Sequence, residues 1–223
     1  MEFQLKFDIN KKIYIRNPES SEVGKLIIKE AINLIYELGF EQFTFKKLAI
    51  GINSTEATIY RYFENKHRLL LYILNWYWNF MEFMMNYKID NVPNNKEKLK
   101  AIIQLLTQDL TTGFGKSEYN TNYLNQIVIA ESSKVYLIKE VAEINKNEVF
   151  NPYKELCAKI AEIISAYNPK YKYPRSLSTT LIETSHQQQY FSQNLPRLTD
   201  IQSVKKSDFT KLFLEDFIFK ILD

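Results

Sequence analysis

The stretch that decides the fold is Ser54 to Lys66, which runs Ser-Thr-Glu-Ala-Thr-Ile-Tyr-Arg-Tyr-Phe-Glu-Asn-Lys. Thr55 is a suitable N-cap, because its hydroxyl can accept a hydrogen bond from a free amide at a helix start. A helix that begins there would pack Ile59 and Phe63 inward. The residues then left to project outward are Glu56, Ala57, Thr58, Tyr60 and Arg61. The pattern indicates a short helix that offers a mixed, mostly polar face to a partner.

Two further helices are predicted before this stretch. Between Ser21 and Leu38, apolar residues recur every three or four positions, which is typical of one buried helical stripe. The stripe consists of Val23, Ile27, Ala31, Ile35 and Leu38. Gly39 then ends the helix, as a C′ glycine does.

A second, shorter helix can start at the cap Thr44 and turn Phe45, Leu48 and Ala49 inward. Asn53 tolerates the left-handed backbone of a tight turn between this helix and the next. Two short helices after a longer one predict a helix-turn-helix, whose second short helix enters the major groove of DNA.

The same residues resemble, without gaps, the N-terminal signature of the tetracycline-repressor (TetR) family of one-component regulators. The resemblance rests on Gly39-Phe40-Glu41, on Thr44 to Ala49, on Thr58 to Phe63 and on Lys66. It covers about residues 21–72. It implies an all-α protein, in which an N-terminal three-helix DNA-binding domain is followed by a helical domain for ligand binding and dimerisation.

The resemblance also implies roles for particular residues. Hydroxyls for backbone phosphates would come from Thr44, Tyr60 and Tyr62, and local positive charge from Lys46, Arg61 and Lys66. Base edges or nearby phosphates would be faced by Thr55, Glu56, Ala57 and Thr58.

Three positions depart from the family pattern, which has Gly at Asn53, Lys at Glu56 and Gly at Ala57. A carboxylate in place of a phosphate-binding cation repels the DNA backbone, although Glu can also accept a hydrogen bond from cytosine N4. Glu56 therefore leaves the fold intact and alters the expected mode of DNA contact.

Composition bounds the alternatives. The 223 residues carry a net charge of +3, and residues 1–70 hold 11 Lys and Arg against 9 Asp and Glu. DNA affinity would therefore depend on local placement of charge and on doubling in a dimer. A basic segment before the first helix can be either an arm that reaches the minor groove or an ordinary tail. It carries Lys6, Lys11, Lys12 and Arg16.

The location of the protein is inferred from two absences. No apolar run reaches the length of about 18 residues that predicts a membrane span, and the N-terminus lacks a signal-peptide core. We therefore expect a cytoplasmic protein with no membrane partner and no cofactor. Cys157 is the one cysteine, so no internal disulfide can form, and we expect a buried, inert thiol.

The rest of the chain is predicted to be helical. Five helices are expected over 66–88, 119–132, 135–144, 175–194 and 207–222. Another carries the apolar stripe Leu99, Ile102, Ile103, Leu106 and Leu110 and is closed by Gly113 and Gly115. A further helix has Pro152 in its first turn. We expect a DNA-binding domain over 1–65 and an effector-binding and dimerisation domain over 66–223.

The resemblance places dimerisation in the last two helices. Phe209, Leu212, Phe213, Phe217 and Ile221 give the final helix a broad apolar face, although an intrachain core would explain that face equally well.

An aromatic belt on the helix predicted over 66–88 predicts a pocket for a small apolar or aromatic effector. Its members are Trp76, Tyr77, Trp78, Phe80, Phe83 and Tyr87, and the pocket wall is assigned to Trp76, Trp78, Phe80, Phe83 and Tyr87. For any one of these residues, ordinary core packing is the alternative.

Two other functions are compatible with parts of the sequence. A helical adaptor that has lost operator binding would explain Glu56. The two Glu-x-x-His pairs, Glu64 with His67 and Glu183 with His186, resemble those of di-iron bundle enzymes. Lys66 and Arg68 beside the first pair would repel a metal ion, which argues against the enzyme. We therefore predict a ligand-responsive DNA-binding repressor that acts as a homodimer on a palindromic operator.

Overall fold

The structure is a computed structural model that describes residues 5–108, 110, 118–201 and 208–223, and within these residues it contains helices and no strand. The helices are α1 Glu22–Leu38, α2 Phe45–Gly51, α3 Glu56–Tyr60, α4 Lys66–Ile89, α5 Asn95–Thr107, α6 Thr121–Glu131, α7 Ser133–Tyr136, α8 Val141–Asn145, α9 Asn151–Tyr167, α10 Pro174–Asn194 and α11 Phe209–Leu222. Short 3₁₀ helices cover Pro18–Ser20 and Pro196–Leu198. The predicted all-α class is confirmed.

Most predicted helices have the expected bounds, and one is wrong. The helix expected over 135–144 is two short helices, α7 and α8, because the chain leaves helical geometry at Leu137 with ψ of 48°. Leu110 lies beyond the end of α5 and is still buried. Gly113, Gly115 and the expected helix start at Ser207 lie outside the described residues.

The chain divides into two compact units. Unit 1 comprises Met1–Phe80 and Leu110–Pro152, and unit 2 comprises Met81–Asp109 and Tyr153–Asp223. Helix α4 contributes residues to both units. These units differ from the functional division predicted between residues 65 and 66, which stays a proposal.

Helix α1 is the central helix of the N-terminal part of unit 1. Ser21 caps it by accepting a hydrogen bond from the Gly24 amide at 3.1 Å. Its buried side chains are Ile27, Ile28, Ala31, Ile32 and Ile35, and it packs against α2 and α6. The predicted stripe was therefore wrong at its start, since Val23 is 44% exposed and the buried face has rotated toward Ile28 and Ile32.

The segment before α1 packs onto unit 1. Ile9 and Ile13 are buried, and the Ile15 amide donates to the Tyr62 carbonyl at 2.8 Å. Pro18 lies so close to Gly24 that a Cβ there would stand 2.2 Å from the Pro18 carbonyl oxygen. Ile9 and Ile13 therefore anchor this segment, while its basic residues Lys6, Lys11, Lys12 and Arg16 remain exposed.

Unit 2 is a helical core built from the end of α4 with α5, α9, α10 and α11. Helix α10 packs against both α5 and α11, and α11 also packs against α5. Pro152 lies in the first turn of α9, as predicted. Cys157 is buried and free, and burial raises the pKa of its thiol to about 11, so the predicted unreactive thiol agrees with its surroundings.

His186 is buried in α10 with 4% of its surface exposed. Desolvation of the imidazolium lowers its pKa from 6.5 to about 4. Between those values the unfolded chain binds more protons than the folded chain does, so stability increases with pH. The contribution of His186 is fully present above pH 6.5 and is lost as the pH falls toward 4.

Replacement of His186 should therefore flatten the pH dependence of stability. Between pH 7 and pH 4.5, we expect the wild-type protein to lose on the order of 2 kcal/mol more unfolding free energy than His186→Gln does. Urea denaturation at a series of pH values measures this difference. His67→Gln, at an exposed histidine, is the matched control. Equal slopes in wild type and His186→Gln would contradict the assignment.

Candidate nucleic-acid interface

The helix-turn-helix is held by two side-chain caps and one left-handed residue. Thr44 accepts a hydrogen bond from the Lys47 amide at 3.2 Å, and Thr55 accepts one from the Thr58 amide at 3.3 Å. Asn53 in the turn has φ of +49°, the conformation predicted for it. Each cap satisfies an amide that the helix itself leaves free.

The packed side of this motif is apolar. Phe45, Leu48, Ala49, Ile59 and Phe63 are buried, as the sequence predicted. Most predicted DNA-facing residues lie on its other side and are exposed: Thr44, Lys46, Thr55, Glu56, Ala57, Tyr60 and Arg61. Thr58, also predicted to face DNA, is half-buried. Arg61 donates to the Thr58 hydroxyl at 3.3 Å, which orients its guanidinium along α3.

The two tyrosines expected to bind phosphate have different environments. Tyr60 is 49% exposed, and its ring packs edge-on against Phe45 at 5.0 Å between centroids. Tyr62 is 3% exposed, and its hydroxyl shares a 2.8 Å hydrogen bond with the Ser21 hydroxyl. Arg16 lies over the Tyr62 ring at 5.4 Å. In this conformation Tyr62 joins the N-terminal segment to the motif.

Lys66 is also directed into the protein. Its ammonium donates to the carbonyl oxygens of Phe40, Glu41 and Phe43 at 3.0, 3.3 and 3.3 Å. An ammonium has three N–H donors, and three carbonyls match them. Lys66 therefore ties the start of α4 to the loop between α1 and α2.

That loop is held a second time by Glu131, the last residue of α6. One oxygen of its carboxylate accepts the Phe40 amide at 3.0 Å, and the other forms a 2.8 Å ion pair with Lys134. Glu131 is buried, so loss of either partner would leave one oxygen of a desolvated carboxylate without compensation. A Cβ added at Gly39, whose φ is +75°, would stand 3.6 Å from the same carboxylate.

We call the group Phe40, Lys66, Glu131 and Lys134 the loop clamp. Both cations also lie near the Phe40 ring, at 4.6 Å for Lys66 and 5.7 Å for Lys134. Burial opposes the charged form of Lys134, but hydrogen bonds to Glu131 and Glu41 outweigh it and raise the pKa of Lys134. The hydrogen bond from Lys134 lowers the pKa of Glu41. Together the four clamp residues fix the loop that leads into α2, and so they position α3.

The aromatic residues assigned to an effector pocket are in several environments. In unit 1, Trp76 stacks on Phe80 at 5.7 Å and meets Phe7 and Tyr119 edge-on, each at 5.2 Å. All three predicted residues of this unit, Trp76, Trp78 and Phe80, are buried. The Trp78 indole donates to the Tyr136 hydroxyl at 2.6 Å. In unit 2, Phe83 is half-buried and Tyr87 is 60% exposed.

A cavity of about 430 Å³ lies in unit 1, at the first two turns of α4. Its lining consists of Glu64, Asn65, His67, Arg68, Leu71, Lys134, Val135, Ile138, Glu140 and Ile144. The predicted effector residues do not belong to this lining. Sequence reasoning missed the cavity because its walls come from positions about 70 residues apart, and no local motif joins them.

The N-terminal helices match a known family. Residues 27–73 fit the profile of the bacterial regulatory proteins of the TetR family. Residues 27–73 therefore form an N-terminal domain of the TetR family. Its helix-turn-helix is thus a DNA-binding motif of transcriptional regulators, as the residues between Gly39 and Lys66 predicted.

The TetR-family fold extends over nearly the whole chain. AibR in complex with isovaleryl coenzyme A and operator DNA matches with a TM-score of 0.58 and 17% identity over 89% of this chain and 98% of that one. The fatty acid degradation regulator FadR from Bacillus halodurans matches with a TM-score of 0.61 and 18% identity, over 89% of this chain and 98% of that one. The superantigen PfiT matches with a TM-score of 0.61 and 14% identity, over 93% of this chain and 99% of that one. These likenesses establish the fold.

Three further findings about the chain are negative. No curated protein matches its sequence. In the part of the chain that the structure describes, no helix is long and apolar enough to cross a membrane. Within the same residues, no group of three or more His, Cys, Asp or Glu side chains can hold a metal ion, and Glu183 instead accepts a hydrogen bond from the Tyr153 hydroxyl at 2.6 Å.

Proposed function

We propose that this TetR-family protein is a ligand-responsive transcriptional repressor that binds a near-palindromic operator as a homodimer. The observation that carries the proposal is that α3 is capped and exposes its outer face. The loop that leads into α2, and so positions α3, is held by the loop clamp. Two such helices related by a two-fold axis would reach successive major grooves about 34–36 Å apart. The half-sites would then be about one helical turn apart.

The DNA contacts divide into three groups. Thr44, Lys46, Tyr60 and Arg61 contact phosphates, while Thr55, Ala57 and Thr58 lie against base edges. Glu56, exposed at the start of α3, either opposes a phosphate or accepts from cytosine N4. Tyr62 and Lys66 act from inside the protein, where they fix the motif that carries the other residues.

Dimerisation is proposed for α10 and α11. In α11 the core of unit 2 takes Phe209, Leu214, Ile218 and Leu222. Leu212, Phe213 and Ile221 stay 48%, 37% and 39% exposed. Phe213 stacks on Phe209 and Phe217, each at 6.2 Å, so the exposed face is apolar and ordered along the helix. A second copy of the chain would cover it.

AibR, which has a similar fold, forms a complex with isovaleryl coenzyme A and operator DNA. A small apolar or aromatic effector is proposed for this chain, and its wall is assigned to Trp76, Trp78, Phe80, Phe83 and Tyr87. We further propose a cytoplasmic regulator without catalytic activity. A helical adaptor that has lost operator binding is the second candidate, which Glu56 favours and which the same fold in the superantigen PfiT makes reasonable.

The matched tyrosines Tyr60 and Tyr62 test DNA binding. Tyr60→Phe should weaken binding to operator and to random duplex by a similar factor of about five, because one phosphate hydrogen bond of about 1 kcal/mol is lost. Tyr62→Phe should instead lower the melting temperature by about 2–4 °C, since its hydrogen bond to Ser21 is internal. Fluorescence anisotropy at several salt concentrations and thermal melting give the two readouts.

Wild-type protein that binds no duplex from the region upstream of its own and neighbouring genes, even at low salt, would favour the adaptor. A changed base preference in Tyr60→Phe, with unaltered affinity for random duplex, would refute the phosphate role.

The dimer is tested on the exposed face of α11. Wild-type protein at micromolar concentration should sediment at twice the chain mass of 26.5 kDa. Leu212→Asp places a charge on that face and should shift the population toward monomer, because a buried unpaired carboxylate is costly. Leu137→Asp is the control, since Leu137 is 83% exposed in unit 1. A monomeric wild type, or an unchanged Leu212→Asp dimer, would contradict the proposed interface.

A further inference from the structure

The cavity at the start of α4 has the composition of a ligand site with two distinct sides. Its volume of about 430 Å³ falls within the range of small-molecule pockets, about 300–1,000 Å³. One side is apolar and consists of Leu71, Val135, Ile138 and Ile144. Ile138 and Ile144 are only half-buried, so a ligand would remove further apolar surface from water.

Arg68 supplies an unsatisfied donor to the other side. Its Nη1 atom is buried and has no hydrogen-bond partner among the described residues. Its ion pair with Glu64 is long, at 3.8 Å through Nε, and the Glu64 side chain is 70% exposed. A buried guanidinium nitrogen without a partner is costly, and an anion would provide that partner.

The other charges around the cavity do not compete for this role. Lys134 is already bound by Glu131 at 2.8 Å and by Glu41 at 2.9 Å. Glu140 is exposed, so water screens its repulsion of an anion. The cavity also lies along the first turns of α4, where helix amides favour negative charge.

The geometry points to a binding site for a small amphipathic anion. A carboxylate or phosphate group would bind Arg68, whose planar fork suits either anion, and the apolar part of the ligand would lie on Leu71, Val135, Ile138 and Ile144. This site is separate from the aromatic wall proposed above, since Trp76, Trp78 and Phe80 do not line it.

The site has a direct connection to the loop clamp. Lys134 belongs to both, and His67, which lines the cavity, meets the Phe40 ring edge-on at 5.1 Å. An anion beside Lys134 would compete with Glu131 for that ammonium and loosen the loop that leads into α2. This consequence for DNA affinity rests on the proposed function, whereas ligand binding itself does not.

Octanoate and octyl phosphate are suitable probes, with 1-octanol as the uncharged control. Titration followed by methyl resonances of Leu71, Val135, Ile138 and Ile144 should give saturable shifts with one or both anions. Whichever head group binds more tightly identifies the anion class. The alcohol should bind at least about tenfold more weakly, because it cannot satisfy the Arg68 charge.

Arg68→Gln should weaken binding of the preferred anion about tenfold, and Arg68→Lys should give an intermediate loss because the charge stays without the fork. Arg175→Gln removes an exposed arginine of unit 2 and should bind like wild type. Circular dichroism of each variant checks that it is folded. Equal affinity in folded Arg68→Gln and wild type, or no saturable shift with either anion at millimolar concentration, would overturn the site.

A DNA titration with the bound anion then separates this proposal from the proposed function. We expect the preferred anion to reduce duplex affinity about fivefold or more in wild type and not in Arg68→Gln. Anion binding through Arg68 by a protein that binds no duplex would leave the site standing and refute the repressor. Anion binding with unchanged duplex affinity would overturn the coupling through Lys134.

Discussion

The carboxylate of Glu131 makes the interactions on which the N-terminal part of this protein depends. It is buried, and it binds the Phe40 amide and the Lys134 ammonium at the same time. A desolvated carboxylate is stable only while both partners are in place, so it fixes the loop in one position. Lys66 holds the carbonyls of that loop, as Glu131 holds its amide. The position of α2, and through it α3, follows from these few bonds.

The parts of the structure that sequence reasoning predicted are those with local causes. Thr44 and Thr55 cap the amides three residues ahead, and Asn53 adopts the left-handed turn, because these features depend on residue type and spacing within one segment. The helices with a strong apolar period were also predicted within a few residues. The one helix that failed, expected over 135–144, has no cap at its interior break, and α7 and α8 carry no side-chain cap.

The parts that could not be predicted depend on residues far apart in the chain. Tyr62 and Lys66 belong to the residues predicted to contact DNA, and in the structure Ser21 and the loop carbonyls hydrogen-bond them. The N-terminal segment carries lysines typical of an arm, but its side chains Ile9 and Ile13 are buried in unit 1. Arg68 and Lys134 line one cavity although 66 positions separate them. Pattern and propensity carry no information about such pairs, since each arises from tertiary packing.

The most direct measurement of the role of Glu131 is native-state hydrogen exchange at the Phe40 amide. In Glu131→Ala, the amides of Phe40 and of α2 should exchange about tenfold or more faster than in wild type, because a buried N–H that loses its acceptor costs about 1–3 kcal/mol. Amides of α9 and α10 in unit 2 should keep their wild-type rates. Glu131→Gln, which retains an acceptor oxygen and loses the charge, should be intermediate. Unchanged exchange at Phe40 in Glu131→Ala would contradict the account, as would an equal increase throughout the chain.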